Sequence, residues 1–457
     1  MRIDRIHLSN FKLFEDFELT LNPEFTLLIG ENGSGKTSIL DALAIACGVW
    51  LYEVPDSRIA NSRLSLSEDY IRLEAKRSGD RIQFTEALNM AVSAWGELLD
   101  GHREQWTQGI LLGKRNKQHL KQARDFIAGV FRQAVDGNDV TLPVIAYYGA
   151  GRAWLPHNER SKVAKPSFEA SRRWEAFYDC LNERIRITDL KQWFWDEATE
   201  RGNRAGKYRP GFEVVKQAIV RCIPDADDAW FDTDRKDIVL SIGGSPQPFA
   251  NLSAGQRTML ALVADIAVKA VTQNNYLVPP DELGPDDQPL PRVLAETPGV
   301  VLIDELDVHL HPRWQRKVVE DLRSTFPKIQ FVATTHSAFI IQSLRPEELR
   351  NLQGQAIPEL GNMGVEEIAR GLMNVPRPDV GSRYAEMVEV AKGYLLRLEE
   401  ADKTPPEKLS EFEAALANKI APYADNPAFQ AYLELKREGK LSRHRRSSDD
   451  SAADEGP

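Results

Sequence analysis

The run GENGSGKTS, Gly30 to Ser38, constrains this chain more than any other feature. It fits G-x-x-x-x-G-K-[ST], with Gly30, Gly35, Lys36 and Thr37 at the fixed positions. Glycines in such a loop let successive backbone N–H groups turn inward onto an anion. Lys36 brings a positive charge to the β- and γ-phosphates of a nucleotide, and the Thr37 hydroxyl is a ligand type suited to Mg²⁺. The context agrees. FTLLIG, just before, is an apolar run that reads as a buried strand, and KTSILDALAIACGVW, just after, has helical periodicity. Strand, glycine loop and helix in that order predict an α/β fold with phosphates bound at the helix N-terminus.

Two later strands carry matching chemistry. VVLIDELDVHLHP places a hydrophobic strand, Val300 to Ile303, directly before Asp304 and Glu305. Ligands of α/β sheets bind at that end of a strand. Asp304 is the expected holder of Mg²⁺ through its waters, and Glu305 the residue that polarises the attacking water. FVATTH repeats the pattern and ends a strand on His336, which is expected on the γ-phosphate side. His309 and His311 lie close together, but no third ligand stands at a sensible spacing, so they read as packing residues.

A second anion-binding pattern lies far from the first. NLSAGQRTMLALVADIA reads as a turn and then a helix, with Ser253 at the N-cap and Gln256 three residues on. That is a capping box, which by itself explains the serine. LSAGQ also resembles the signature of ABC-type ATPases, with Ala254 in place of the first glycine. The order Gly30–Ser38, Leu252–Gln256, Val300–Glu305, Asp307 and His336 is similar to that superfamily's Walker A, signature, Walker B, D-loop and H-loop. The resemblance implies a P-loop ATPase head with a mixed central sheet, a helical signature subdomain and a helical C-terminal extension. It implies ATP and Mg²⁺ as ligands. Gly30, Asn32, Gly33, Ser34, Gly35, Lys36, Thr37 and Ser38 would hold the nucleotide, with Thr37 and Asp304 on the metal. Glu305 and His336 would be catalytic. Ser253 and Gly255 would close over the γ-phosphate bound by a second subunit, so ATP would join heads head-to-tail, and Gln256 and Asp307 would be nucleotide-binding as well.

The opening IHLSNFKLFEDFELTLNPEFTLLIGENGSGKTS resembles the RecF/SMC/Rad50-like branch, in which NF precedes the Walker A; there Lys12 would approach the nucleotide. VIAYYGAGRAW, with TPGVVLIDELDVHLHP, is similar to compact bacterial AAA-type ATPases such as PtuA of the Septu and retron anti-phage systems. That resemblance implies a separate HNH-type nuclease partner. The glutamine that completes Mg²⁺ coordination in the superfamily has no counterpart after the strand at 142–148, where Gly149 and Arg152 stand instead.

Composition is consistent with this reading. The chain has 457 residues, 42% hydrophobic and 28% charged, enough for a multi-part globular protein with a sizeable core. A net charge of −10 argues against a general nucleic-acid coat, though not against a local basic groove. Cys47, Cys180 and Cys222 are far apart and read as reduced thiols. The polar, charged N-terminus and the lack of any long apolar run predict a cytoplasmic protein with no membrane span. The expected organisation is a first head segment over 1–53, an inserted hairpin and helical arm over 54–140, and a strand with the helical signature subdomain over 141–273. A Pro-rich acidic insertion follows at 274–298, the rest of the head at 299–345, a helical extension at 346–440 and a disordered tail at 441–457. A basic stretch around Lys114, Arg115, Lys117, Lys121 and Arg124 reads as the face of a helix, and direct DNA binding is a possible partner mode.

The expectation is an ATPase that dimerises on ATP and regulates a separate nuclease in anti-phage defence. The alternatives are a RecF-like repair ATPase that binds DNA itself and an oligomeric scaffold held together by ATP with little turnover.

Overall fold

The apolar runs identified in sequence meet in one parallel sheet. In this computed structural model the described residues are 1–61, 64, 66–111, 114–116, 120–151, 173–354, 357–375, 378, 381, 383–384, 386–390, 392–393 and 418. They fall in two units, Met1–Ile368 and Ala369–Pro457. Within the first unit, β3 (Phe25–Ile29), β9 (Val144–Tyr148), β13 (Gly299–Ile303), β14 (Ile329–Thr334) and β15 (Leu349–Asn351) lie in the order β15-β3-β14-β13-β9, every pair parallel. β3, β9, β13 and β14 are buried at every position. That is why they read as continuous apolar runs rather than alternating ones. Because the strands are parallel, the P-loop, Asp304 and His336 all leave the sheet at the same edge.

A second sheet is antiparallel. β1 (Arg2–Phe11), β2 (Phe14–Thr20), β6 (Met90–Leu99), β7 (His102–Leu111) and β8 (Lys114–Asn116) are ordered β2-β1-β6-β7-β8. The parallel and antiparallel strands are thus partitioned between two sheets rather than mixed in one. The hairpin expected near Asp100-Gly101 is β6–β7, and both turn residues have positive φ, 47° and 79°. It is not part of a separate arm. Trp106 on β7 is fully buried and donates through Nε1 to Ala46 O at 2.9 Å, and Gln108 Nε2 donates to Ile45 O at 2.7 Å. Both carbonyls belong to the last turn of the helix Lys36–Cys47, where Gly48 N–H and Val49 N–H reach Ile45 O and Ala46 O at 3.1 and 3.3 Å and a second acceptor position stays open on each. The hairpin therefore closes the C-terminal end of the helix that begins at the P-loop. A smaller hairpin, β4 (Leu73–Ser78) with β5 (Arg81–Glu86), forms a separate two-stranded sheet.

Three further expectations change. Lys114 and Arg115 lie on β8, paired with β7, and not on the helix described over Leu120–Val135. Lys121 and Arg124 are on that helix, and Arg124 pairs with Glu53 at 2.5 Å; Lys117 lies outside the described residues. The signature segment is not wholly helical. β10 (Ala226–Asp232), β11 (Asp237–Ile242) and β12 (Ser245–Pro248) form an antiparallel sheet between the helices Pro210–Cys222 and Ala254–Gln273. The head does not end at 345, because β15 pairs with β3 at the sheet edge. In the second unit the described residues between 383 and 393 are helical; most of the expected extension and the whole tail lie outside the described residues. The 274–298 segment buries Leu277, Asp287, Val293 and Leu294, so it is only partly a surface insertion. No helix among the described residues is long and apolar enough to cross a membrane.

One buried side chain joins the two sheets. Gln330, on β14, donates through Nε2 to Ile3 O at 2.8 Å and Asn22 O at 2.9 Å, and accepts from Ile3 N–H at 2.8 Å. Gln330→Leu keeps the volume but strands these backbone groups in a dry interior. The expected cost is about 2–4 kcal/mol, read as a lower urea midpoint with an unchanged slope.

Candidate functional site: the P-loop and the facing strand ends

The P-loop is shaped by close approach. Gly33 and Gly35 have φ of 84° and 96°, which disfavour any side chain, and Gly35 is the N-cap of the helix Lys36–Cys47. A Cβ on Gly35 would lie 2.5 Å from Phe14 Cζ and 2.9 Å from Leu13 Cδ2, so the turn between β1 and β2 presses on the loop from outside. Lys36 is buried and donates through Nζ to Gly30 O at 2.7 Å and Glu31 O at 3.1 Å. Burial pushes its pKa down, opposed by the nearby carboxylates of Asp304 and Glu305. Ser34 Oγ is buried with no hydrogen-bond partner among the described residues. An orphaned hydroxyl, a lysine resting on loop carbonyls and glycine-exposed N–H groups suit a phosphate chain. Asn32, Gly33 and Thr37 are exposed and Ser38 is partly buried, all on the rim of the same loop.

Asp304 faces this loop with both carboxylate oxygens engaged. Thr37 Oγ1 donates to Oδ2 at 2.9 Å, and Thr334 Oγ1 donates to Oδ1 at 2.5 Å. The backbone around it is fastened to both neighbouring strands: Asp304 N–H to Tyr148 O at 2.7 Å, and Leu306 N–H to Thr334 O at 2.8 Å. Glu305 sits between them in a left-handed conformation, φ 49°, its N–H donating to Thr334 Oγ1 at 2.7 Å. Thr37 and Asp304 thus bring a hydroxyl and a carboxylate oxygen together, the hard-oxygen donor set that fits Mg²⁺.

The next turn holds Asp307. Its Oδ1 accepts from Thr335 Oγ1 at 2.5 Å and from His336 N–H at 3.1 Å. His336 itself is exposed at the end of β14. Gln315 Nε2 donates to Leu310 O at 2.9 Å, while its Oε1 accepts from Ser337 Oγ at 2.6 Å. His311 caps the short helix Pro312–Gln315 through its side chain.

The signature helix is seated on this same turn. Ser253 and Gln256 form the predicted capping box: Gln256 N–H donates to Ser253 Oγ at 3.2 Å and Ser253 N–H to Gln256 Oε1 at 2.8 Å. Gly255 is buried, and a Cβ there would lie 2.4 Å from His309 O. The glycine is needed for this backbone approach whatever else it does. Ser253 remains exposed.

Lys12, expected to approach the nucleotide, is tied to the helix that follows the P-loop. Its ammonium pairs with Asp41 Oδ2 at 2.5 Å and lies over the Tyr70 ring, 5.0 Å from its centroid. Asp41 Oδ1 accepts from Tyr147 OH at 3.1 Å. Where a glutamine was sought after β9, the structure brings in Glu183. Gly149 N–H donates to Glu183 O at 2.8 Å, and a Cβ on Gly149 would lie 2.7 Å from Glu183 Cβ. Burial raises the Glu183 pKa, and the charges of Asp41 and Asp304 raise it further. No motif marks Glu183 in sequence; only the fold carries it there. Arg152 lies outside the described residues.

Gly255→Ala tests the seating of the signature helix. Alanine in a helix ordinarily gains up to about 1 kcal/mol over glycine. Here the obstacle is a backbone carbonyl, so a net loss of about 1–2 kcal/mol is expected, seen as a lower Tm of the nucleotide-free chain.

Comparison with known proteins fits this geometry. A family model described as "AAA domain" matches residues 5–201, and one described as "AAA domain, putative AbiEii toxin, Type IV TA system" matches residues 159–342. The chain is 23% identical to the "Retron Vc95 probable ATPase" of Vibrio cholerae serotype O1 biovar El Tor, over 77% of this chain and 73% of that one. It is 22% identical to the "Retron Ec83 probable ATPase" of Escherichia coli, over 96% and 87%. It is 24% identical to the Septu protein PtuA of Bacillus mycoides (strain KBAB4), over 92% of this chain but only 50% of PtuA. Among solved structures, the SMC head domain from Thermotoga maritima aligns with 77% of this chain and 94% of its own, with a TM-score of 0.41 and 13% identity. With its P-loop and paired strand-end carboxylates, the chain is an ATPase similar to PtuA and the retron ATPases.

Proposed function

We propose that the chain hydrolyses Mg·ATP in composite sites formed when two heads pair head-to-tail, and that this cycle regulates a separate nuclease in anti-phage defence. The names of the retron and Septu relatives support the biological setting. The observation that carries the pairing is Ser253. It is exposed at the start of a 20-residue helix, and its hydroxyl accepts from Gln256 N–H. That leaves its proton available to a phosphate oxygen, so capping and reaching a neighbour's nucleotide are compatible.

The roles follow from the positions. Lys36 exchanges two loop carbonyls for phosphate oxygens, and the N–H groups of Gly33 to Thr37 line the phosphate chain. Thr37 and Asp304 are the residues that would hold Mg²⁺, which neutralises charge on the β- and γ-phosphates when bound. Glu305 accepts a proton from the attacking water as its oxygen bonds to the γ-phosphorus. The bond to the β–γ bridging oxygen breaks, and ADP and phosphate leave. His336 faces the γ-phosphate side. Ser253, Gly255 and Gln256 of one head close over the nucleotide of the other, with Asp307 holding the turn beneath them. The partner in this reading is an HNH-type nuclease, and a reading frame of that type beside the gene would support it.

Glu305→Gln removes the base without changing shape. Turnover should fall roughly 10²–10⁴-fold while ATP still binds, and ATP-bound pairs should accumulate in light scattering. Unchanged turnover would remove Glu305 from the reaction. Ser253→Arg should bind one ATP per chain and show the same mass with and without ATP. If it pairs as the parent does, the helix start serves only its own fold.

A further inference from the structure

The geometry points to Thr334 as the positioning residue of the hydrolytic site: its single hydroxyl orients Asp304 and Glu305 together. This rests on the reading that Asp304 is the metal anchor. Thr334 is fully buried at the last position of β14; its hydroxyl reaches Asp304 and Glu305, and its backbone carbonyl receives Leu306 N–H. A hydroxyl has one proton. The carboxylate of Asp304 only accepts, so the proton goes to Oδ1, at 2.5 Å. The hydroxyl lone pair then receives Glu305 N–H, at 2.7 Å. The chain of donation is directional, from the Glu305 backbone through Thr334 to Asp304.

Each link has a separate consequence. Holding Oδ1 on Thr334 leaves Oδ2 as the oxygen beside Thr37, which donates to it at 2.9 Å. The carboxylate is thereby prevented from rotating away from the metal position. Holding Glu305 N–H supports the left-handed turn, φ 49°, that directs the Glu305 side chain off the strand axis. Such a conformation persists in a non-glycine residue only when its surroundings enforce it. Here the flanking residues are fastened by backbone alone, Asp304 N–H to Tyr148 O and Leu306 N–H to Thr334 O. Of the backbone N–H groups of residues 304–306, that of Glu305 is the one that meets a side chain, the Thr334 hydroxyl. Losing the hydroxyl therefore keeps the strand register and loosens Asp304 Oδ1 and the Glu305 backbone N–H.

Thr334→Val removes the hydroxyl at nearly constant shape, and Thr334→Ser retains it. The full chain is titrated with Mn²⁺ in the presence of ADP by electron paramagnetic resonance, and turnover is measured alongside. Thr334→Val should weaken Mn²⁺ binding and lower kcat, each about 10–100-fold, the range typical for a residue that orients a metal ligand. ADP affinity in metal-free buffer should change by less than about twofold, since the P-loop contacts are untouched. Thr334→Ser should restore both quantities to within about threefold of the parent. Parent-like Mn²⁺ affinity and kcat in Thr334→Val would overturn the assignment, as would Thr334→Ser failing as badly as Thr334→Val. If the valine variant does not fold, the serine variant decides alone: folded with near-parent metal binding and turnover supports the role, and folded but impaired refutes it. Asp304→Asn, run beside them, loses Mn²⁺ binding if Asp304 is the anchor. A failure of the metal reading is thus separable from a failure of Thr334.

Discussion

The site depends on a carboxylate with no idle oxygen. Asp304 receives Thr37 from the P-loop helix on one oxygen and Thr334 from β14 on the other. Hydrogen bonds to a charged group contribute roughly 1.5–3 kcal/mol each, about twice a neutral one. Three elements separated widely in sequence are therefore held in one plane of contact. The parallel register makes this possible, because Ile303 pairs with Ala333 and Thr334 with Leu28, so the three strand ends meet. The antiparallel sheet then supports the arrangement from behind. Leu13 and Phe14 bound the P-loop at Gly35, while Trp106 and Gln108 cap the far end of the same helix.

The turn after Asp304 links the strand-end carboxylates to the helix that begins at Ala254. Glu305 begins it, Asp307 is tied to Thr335 and the His336 backbone, and His309 O receives the flat face of Gly255. Two adjacent threonines thus hold two carboxylates three residues apart, Thr334 on Asp304 and Thr335 on Asp307. Within one head, the residue expected to activate water and the serine expected to meet a neighbour are carried by elements in direct backbone contact. A displacement of either cannot be absorbed by a flexible side chain between them.

The legible parts of this architecture were those where chemistry imposes a spacing. The P-loop, the acidic strand end, His336 and the capping box each combine a residue type with a fixed local offset. The apolar strands of the parallel sheet were legible because burial on both faces leaves no polar alternation. Other parts depend on tertiary pairing and leave no such trace. β15 is three residues long, LRN, and is a strand only because β3 offers an edge. Lys114 and Arg115 resembled a helix face because charge alone does not distinguish a helix from an edge strand, where lysine is also favoured. Thr334, Glu183 and Gln330 are ordinary residues in sequence, and their positions become informative only when distant segments are brought beside them.

The two small residues that open the signature helix, Ala254 and Gly255, are neighbours with unequal freedom. Ala254 already carries a Cβ and is partly exposed, whereas the corresponding atom on Gly255 would fall 2.4 Å from the carbonyl oxygen of His309. Drift along a lineage should therefore be lopsided: the first of the pair is free to exchange among small side chains, while the second is locked by a contact inside its own subunit. An invariant glycine at that place would then testify first to how the helix is seated, whereas the exposed serine two residues before it would report on what the helix meets.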